Sequence, residues 1–206
     1  MKTETNFWYR IIKESYPDSY EELIYSLAAA IQKKPLTAIV VTGSMGCGKD
    51  FMLAPIFEHF NRRAKIVSGR KALMSSYNDF LDSDVLLIEE FNPTKAAKEA
   101  VSVLFRQCKN AIPIKKKGKV VPERIFCDPA FFMTTNVTEL GEMPNWFEVY
   151  SSRIDHRRFH EIAAEFGIDN TYHWAVDGFP EVIDHLLGLD VKVYNDSFDI
   201  FGVKKT

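Results

Sequence analysis

Apolar residues recur along this chain in two rhythms. Between residues 6 and 34 the rhythm is helical, in two pieces broken at "YPDS". Asp18 or Ser19 can cap the second piece, whose apolar positions Leu23, Ile24, Leu27 and Ile31 recur at helical spacing, and Pro35 ends it. Short apolar runs then alternate with helical stretches: "TAIVV", a helix over about 49 to 62, "AKIV", a helix near 70 to 80, "VLLIEE", a helix near 95 to 109, and "AFFMTTN". Runs of this length separated by helices predict parallel strands covered on both faces. Two stretches depart from the alternation. "IPIKKKGKVV" places a lysine-glycine centre between β-branched flanks and reads as a hairpin, while the tail from 145 reads as helical at first, with "EVIDHLLGL" the clearest helix. "VKVYNDSFDIFGV" fits either a strand or an irregular end.

Composition narrows the setting. The chain has 206 residues, 46% hydrophobic and 26% charged, which suits one globular domain with a small appendage. A net charge of -2 confines any nucleic-acid contact to a local basic patch. Cys47, Cys108 and Cys127 have no metal-ligand spacing and cannot all pair with one another, which favours a reducing, intracellular setting. No apolar run approaches the roughly 18 residues of a membrane span, and the N-terminus lacks the pattern of a signal peptide.

The chemistry concentrates at three strand ends. "GSMGCGKD", spanning Gly43, Ser44, Met45, Gly46, Cys47, Gly48, Lys49 and Asp50, contains the G-x-x-x-x-G-K core of a phosphate-binding loop. Its glycines free backbone N–H groups to curl around phosphate oxygens, the following helix start adds positive potential, and Lys49 can reach the terminal phosphates. "SDVLLIEEFN" is an apolar strand ending in paired carboxylates, which suit Glu89 to a Mg²⁺ shell and Glu90 to polarising an attacking water. "FFMTTN" ends in Thr134, Thr135 and Asn136, whose amide can orient that water and sense a γ-phosphate. His156 and His160, one helical turn apart, invite a zinc reading, but no further Cys or His is suitably spaced and no HExxH pattern is present.

These elements, in this order, resemble the superfamily 3 helicases of small DNA viruses, the replication initiators of parvoviruses, circoviruses and their relatives. The likeness runs from about residue 38 to 160, and "NAIPIKKKGKVVP" stands where that family carries a basic hairpin. It implies a P-loop NTPase of AAA+ type, an α/β fold whose central, mostly parallel sheet is flanked by helices. The domain would occupy residues 36–206, with a small helical collar that promotes oligomerisation in 1–35. It further implies ATP and Mg²⁺ as cofactors and a homo-oligomeric ring, usually a hexamer, acting on single-stranded DNA. Lys115, Lys116, Lys117 and Lys119 take the channel-hairpin role by this resemblance, and their charge independently suits sequence-independent phosphate attraction. Family members also place an arginine after the Asn strand to complete a neighbour's site; "SSRIDHRRFHEI" offers Arg153, Arg157 and Arg158, with Arg157 or Arg158 favoured by analogy. The host nucleus is the expected location for a eukaryotic virus, the cytoplasm otherwise.

Two departures accompany the resemblance. The stretch before Gly43 holds no histidine, so the endonuclease such initiators carry is not expected here, and the chain reads as a separate helicase subunit or a fragment. Asp50 stands where a Ser or Thr hydroxyl would be a neutral Mg²⁺ ligand; its carboxylate can bind the ion more directly or repel the nucleotide. Alternative readings are an RNA helicase, a DNA-packaging or loader ATPase of the same fold, or a catalytically weakened module that binds nucleic acid.

Overall fold

A computed structural model of the chain describes residues 6–32, 37–68, 78–108 and 110–191. Five strands form one sheet: β1 (Ala38–Thr42), β2 (Ala64–Ser68), β3 (Val85–Glu89), β6 (Ala130–Thr135) and β7 (Phe147–Ser151), in the order β2-β3-β6-β1-β7. Every pairing in it is parallel. Strands β4 (Asn110–Ile114) and β5 (Glu123–Cys127) pair separately as an antiparallel hairpin. The helices are α1 (Phe7–Ser15), α2 (Tyr20–Ile31), α3 (Lys49–Phe60), α4 (Lys95–Gln107), α5 (His156–Glu165) and α6 (Thr171–Gly188). The fold is thus α/β, with a central parallel sheet flanked by helices.

Alternation along the strands divides the core. Ile39, Val41, Val85, Leu87 and Phe132 face a cluster built with α1, α2, α3 and α6, while Val40, Leu86, Ile88, Phe131 and Met133 face one built with α4 and the hairpin's buried side. The helix after β1 and the helix after β3 therefore cover opposite faces, which is why the central strands read as continuous apolar runs. Strand β2 lies at the sheet edge with Lys65 and Ile66 exposed, so "AKIV" is covered less fully than its apolar look suggests.

Residues 6–32 pack into the domain. Asn6 caps α1, accepting from Trp8 N and Tyr9 N through its side chain, and Ser19 stands at the N-cap of α2 without a side-chain capping bond. Asp18 instead pairs with Arg153. Trp8 is fully buried, and its indole Nε1 donates to the carbonyl of Met52 in α3 at 3.0 Å. The collar expected in residues 1–35 thus contributes α1 and α2 to the same core that holds α3.

Other expectations shift. The chain after 145 opens as strand β7 rather than helix: Phe147–Ser151 buries Phe147 and Tyr150 and pairs with β1 from Ala38↔Phe147 to Thr42↔Ser151. Five residues are too few for a helical period to be told from a strand's. The hairpin is wider than "IPIKKKGKVV" suggests, because Val120 and Val121 lie exposed in its tip and the returning strand begins at Glu123. The helix expected near 70 to 80 falls largely outside the described residues; the described part, from Asn78 on, holds a short 3-10 turn at Asp79–Leu81, and "VKVYNDSFDIFGV" lies outside them beyond Val191.

Because Trp8 joins α1 to α3 by both burial and a hydrogen bond, Trp8→Ala is expected to destabilise the domain by about 3–5 kcal/mol. Urea unfolding followed by circular dichroism checks this, and an unchanged midpoint contradicts the role.

Candidate functional site

Parallel pairing brings the carboxyl ends of all five strands to one edge. In register, Thr42 stands beside Thr135 and Ser151, and Ser68 beside Glu89. Ligands of open α/β sheets bind along such an edge. Strand β6 lies between β1 and β3, so Asn136 emerges between the loop of Lys49 and the carboxylates of Glu89 and Glu90. A cavity of about 300 Å³ opens there, walled by Met45, Gly46, Lys49 and Asp50 on one side and by Glu89, Glu90 and residues 134–136 on the other. Its size is at the lower end of the roughly 300–1,000 Å³ usual for ligand sites.

The loop between β1 and α3 takes a shape that glycine permits. Gly46 and Gly48 have φ of +78° and +88°, the left-handed region, and both are pressed from behind by α5. A Cβ on Gly46 would lie 2.5 Å from Cδ2 of His156, and one on Gly48 would lie 2.7 Å from the Phe159 ring. Any side chain at either position would displace the loop from α5. The first-turn N–H groups of α3, which begins at Lys49, have no earlier helical carbonyl to bond.

Lys49 is only 8% exposed. Its Nζ donates to the carbonyls of Gly43 (2.8 Å) and Ser44 (2.7 Å) and to Asn136 Oδ1 (2.9 Å). All three acceptors are neutral. A buried ammonium held by three neutral oxygens, with Cys47 Sγ at 3.8 Å and no carboxylate partner among the described residues, at the mouth of a cavity beside a helix N-terminus, is matched to an anionic ligand. The β6 end is anchored to the loop as well: Thr42 Oγ1 donates to Val137 O, Thr135 Oγ1 accepts from Val137 N at 3.1 Å, and Gly43 N donates to Thr135 O at 3.3 Å. These threonine anchors were not identifiable from sequence, since a strand-terminal Thr carries no signal of its partner.

The acidic side is strained and crowded. Glu90 has φ of +50°, uncommon for a residue with a side chain, and directly after it Phe91 turns into the core and donates its N–H to Thr134 O at 2.8 Å. Burial, then the Asp50 carboxylate, then that of Glu90 push the Glu89 carboxyl above its ordinary range. Asp50, in the first turn of α3, is exposed toward the same cavity. Among the described residues no three His, Cys, Asp or Glu side chains converge on a single metal position. The donor set fits Mg²⁺ shared with a phosphate, because that ion keeps several waters and takes one or two carboxylates. Asp50 and Glu89 are the residues that would hold it.

The remaining sequence-derived residues lie elsewhere. Lys115, Lys116, Lys117 and Lys119 occupy the tip of the β4–β5 hairpin and line none of this cavity. Lys116 pairs with Asp82 (3.0 Å) and Glu123 (3.5 Å), the Asp82 hydrogen bond raising its pKa, and Lys119 pairs with Glu123. Lys115 and Lys117 are exposed and have no ion pair among the described residues. Arg158 is tied into its own chain: Nε and Nη2 each reach Glu14 at 2.8 Å and Nη1 reaches Glu165 at 2.9 Å, raising its pKa further. Arg157 is 87% exposed, with one bond to Glu161 at 2.9 Å. Arg153 pairs with Asp18 and donates its backbone N–H to Ser15 O at 2.8 Å. Among the described residues no helix is long and apolar enough to cross a membrane.

No family model and no curated protein matches the chain. Among solved structures it is similar to the apo NrS-1 C-terminal region, with a TM-score of 0.63 and 16% identity over 92% of this chain and 47% of that one. The A-form apo structure of the same region gives 0.63 and 17% with the same coverage. The chain thus spans about half of the length of the region it matches. At such identity the likeness is one of fold.

The crowding at Glu89 fixes the sign of a pH effect. Its folded pKa is raised, so between the ordinary glutamate range and that raised value the folded state holds more protons than the unfolded, and stability falls as pH rises. Glu89→Gln removes this penalty. The ligand-free variant is expected to melt above the wild type at neutral pH, with the gain shrinking toward zero on acidification below the ordinary glutamate range. Calorimetry across pH checks this, and a variant less stable at neutral pH contradicts it.

Proposed function

We propose that the chain is an ATP-driven, ring-forming motor that moves single-stranded DNA during replication of a virus or mobile element. The observation that carries the nucleotide half of this reading is the buried Lys49 ammonium, bonded to three neutral oxygens, with no carboxylate partner among the described residues, and facing Glu89 across the cavity. The DNA half is supported by Lys115 and Lys117 at the hairpin tip, where exposed cations attract phosphate without reading sequence.

Each residue has a role its position suits. Lys49 exchanges carbonyl partners for terminal phosphate oxygens, and the loop's backbone N–H groups take the remainder. Asn136, released from Lys49, orients the attacking water, and Glu90 accepts its proton. Asp50 and Glu89 hold Mg²⁺, which neutralises phosphate charge when bound. With Asp50, Glu89 and Glu90 set against the single ammonium of Lys49, a free nucleotide is repelled, so binding depends on Mg²⁺ more than it would with a hydroxyl at position 50. Arg157 is the residue to complete a neighbour's site: its single exposed pair to Glu161 is worth little, whereas Arg158 is committed to Glu14 and Glu165.

Phosphate release, measured with and without single-stranded DNA over a range of protein concentrations, tests the reading. The wild type is expected to be stimulated by DNA and to rise more steeply than linearly as rings assemble, while Lys49→Ala is inactive. A wild type indistinguishable from Lys49→Ala, with Asp50→Thr active, would instead establish a module that binds without turnover.

The arginines separate by readout. Arg158→Ala is expected to lower the melting temperature, whereas Arg157→Ala should leave it unchanged and abolish hydrolysis. Mixing inactive Arg157→Ala with inactive Lys49→Ala subunits should then restore part of the activity. No recovery on mixing would remove Arg157 from the shared site.

A further inference from the structure

His156 and His160 stand on the outer flank of the phosphate loop, and the proposed function gives them no task. His156 opens α5, whose N-cap Asp155 accepts from Arg158 N at 2.8 Å, and its ring lies directly against Gly46 at the rim of the cavity. Both imidazoles are exposed. Their ring centroids are 4.3 Å apart at 63°, and their Nε2 atoms share a hydrogen bond of 3.0 Å. His160 also meets the Phe159 ring edge-on at 5.6 Å, and Phe159 in turn backs Gly48. Surface histidines ordinarily sample several rotamers; each of these rings is held by the other and by the helix beneath.

The cavity gives a bound polyphosphate a direction. Glu89 and Glu90 wall the β3 side, and Asn136 closes the β6 side. A nucleotide with its terminal phosphate at Lys49 could extend away from those carboxylates past Gly46, against which His156 packs from outside the cavity. We infer that the His156–His160 pair is the platform on which the nucleobase of the bound nucleotide stacks, an inference that rests on the proposed nucleotide site. An imidazole offers a π-face and no fixed donor-acceptor pattern for a particular base, so the platform favours flat, large bases and discriminates weakly between adenine and guanine. Stacking of one base on an aromatic side chain is worth roughly five- to a hundredfold in affinity.

Calorimetric titration with ATP and with inorganic tripolyphosphate, both with Mg²⁺, tests this on the full chain. His156→Ala is expected to weaken ATP by about fivefold or more while changing tripolyphosphate by less than about twofold, with His156→Phe restoring ATP affinity through its ring. An unchanged ATP affinity in His156→Ala overturns the inference. So does an equal loss for both ligands, which would make His156 a support of the loop, or a failure of His156→Phe to restore, which would require an imidazole nitrogen. A wild type that binds tripolyphosphate as tightly as ATP refutes the base platform and leaves the phosphate site standing. A wild type that binds neither refutes the nucleotide site, and the platform with it.

Discussion

The arrangement depends on the ammonium of Lys49. Its three oxygen acceptors come from both ends of the site, two carbonyls in the loop after β1 and one side-chain amide after β6. A buried cation cannot be left without partners, so the loop closes on it and Asn136 is drawn in. The hydrogen bond that Thr42 donates to Val137 O ties the same two segments together, and Thr135 fixes Val137 within its own segment. The loop and the strand end are thereby already assembled: in the proposed function a phosphate replaces acceptors around Lys49 rather than gathering the loop and strand from solution. Preorganisation of this kind is where electrostatic stabilisation is strongest.

Strand order explains why residues far apart in sequence meet. Had β3 lain directly beside β1, Asn136 would stand at the flank of the carboxylates, out of reach of Lys49. Placing β6 between them makes the amide a bridge between cation and acids. The second support is α5, which touches the loop at two glycines and ties back to α1 through Arg158 and Glu14. Strain at Glu90 and crowding at Glu89 are tolerated because Phe91 is buried immediately after them. A rigid frame of parallel strands thus carries a few locally unfavourable groups at its carboxyl edge.

Much of this frame was legible in the residues. The runs at β1, β3 and β6 announced buried strands, and the glycines announced a tight turn between strand and helix, because strong local constraints leave strong local signals. What escaped notice was set by distant partners. Strand β7 buries only Phe147 and Tyr150, a spacing that carries no strand period, and gains its identity from pairing with β1. The two arginines after Asp155 look interchangeable in sequence, and only Glu14 and Glu165, contributed by α1 and the far end of α5, make one of them structural. Packing of His156 on Gly46 likewise leaves no mark, since glycine in a phosphate loop already has a reason to be there.

Asp50 takes its meaning from its neighbours. Alone at the start of α3 it is favourable, a negative charge at a helix N-terminus. Beside Glu89 and Glu90 it adds to a cluster of like charge whose effect is visible in the raised Glu89. At about 4 Å and an effective dielectric of about 20, two unit charges interact by about 4 kcal/mol, so a nucleotide approaching such a cluster without a cation meets a large barrier. A divalent ion reverses the sign of that interaction, turning the carboxylates from repellents into ligands. In the proposed function, Asp50 therefore couples cation and nucleotide binding into one event. On that proposal the loop keeps its phosphate, and its unusual last residue determines what must accompany it.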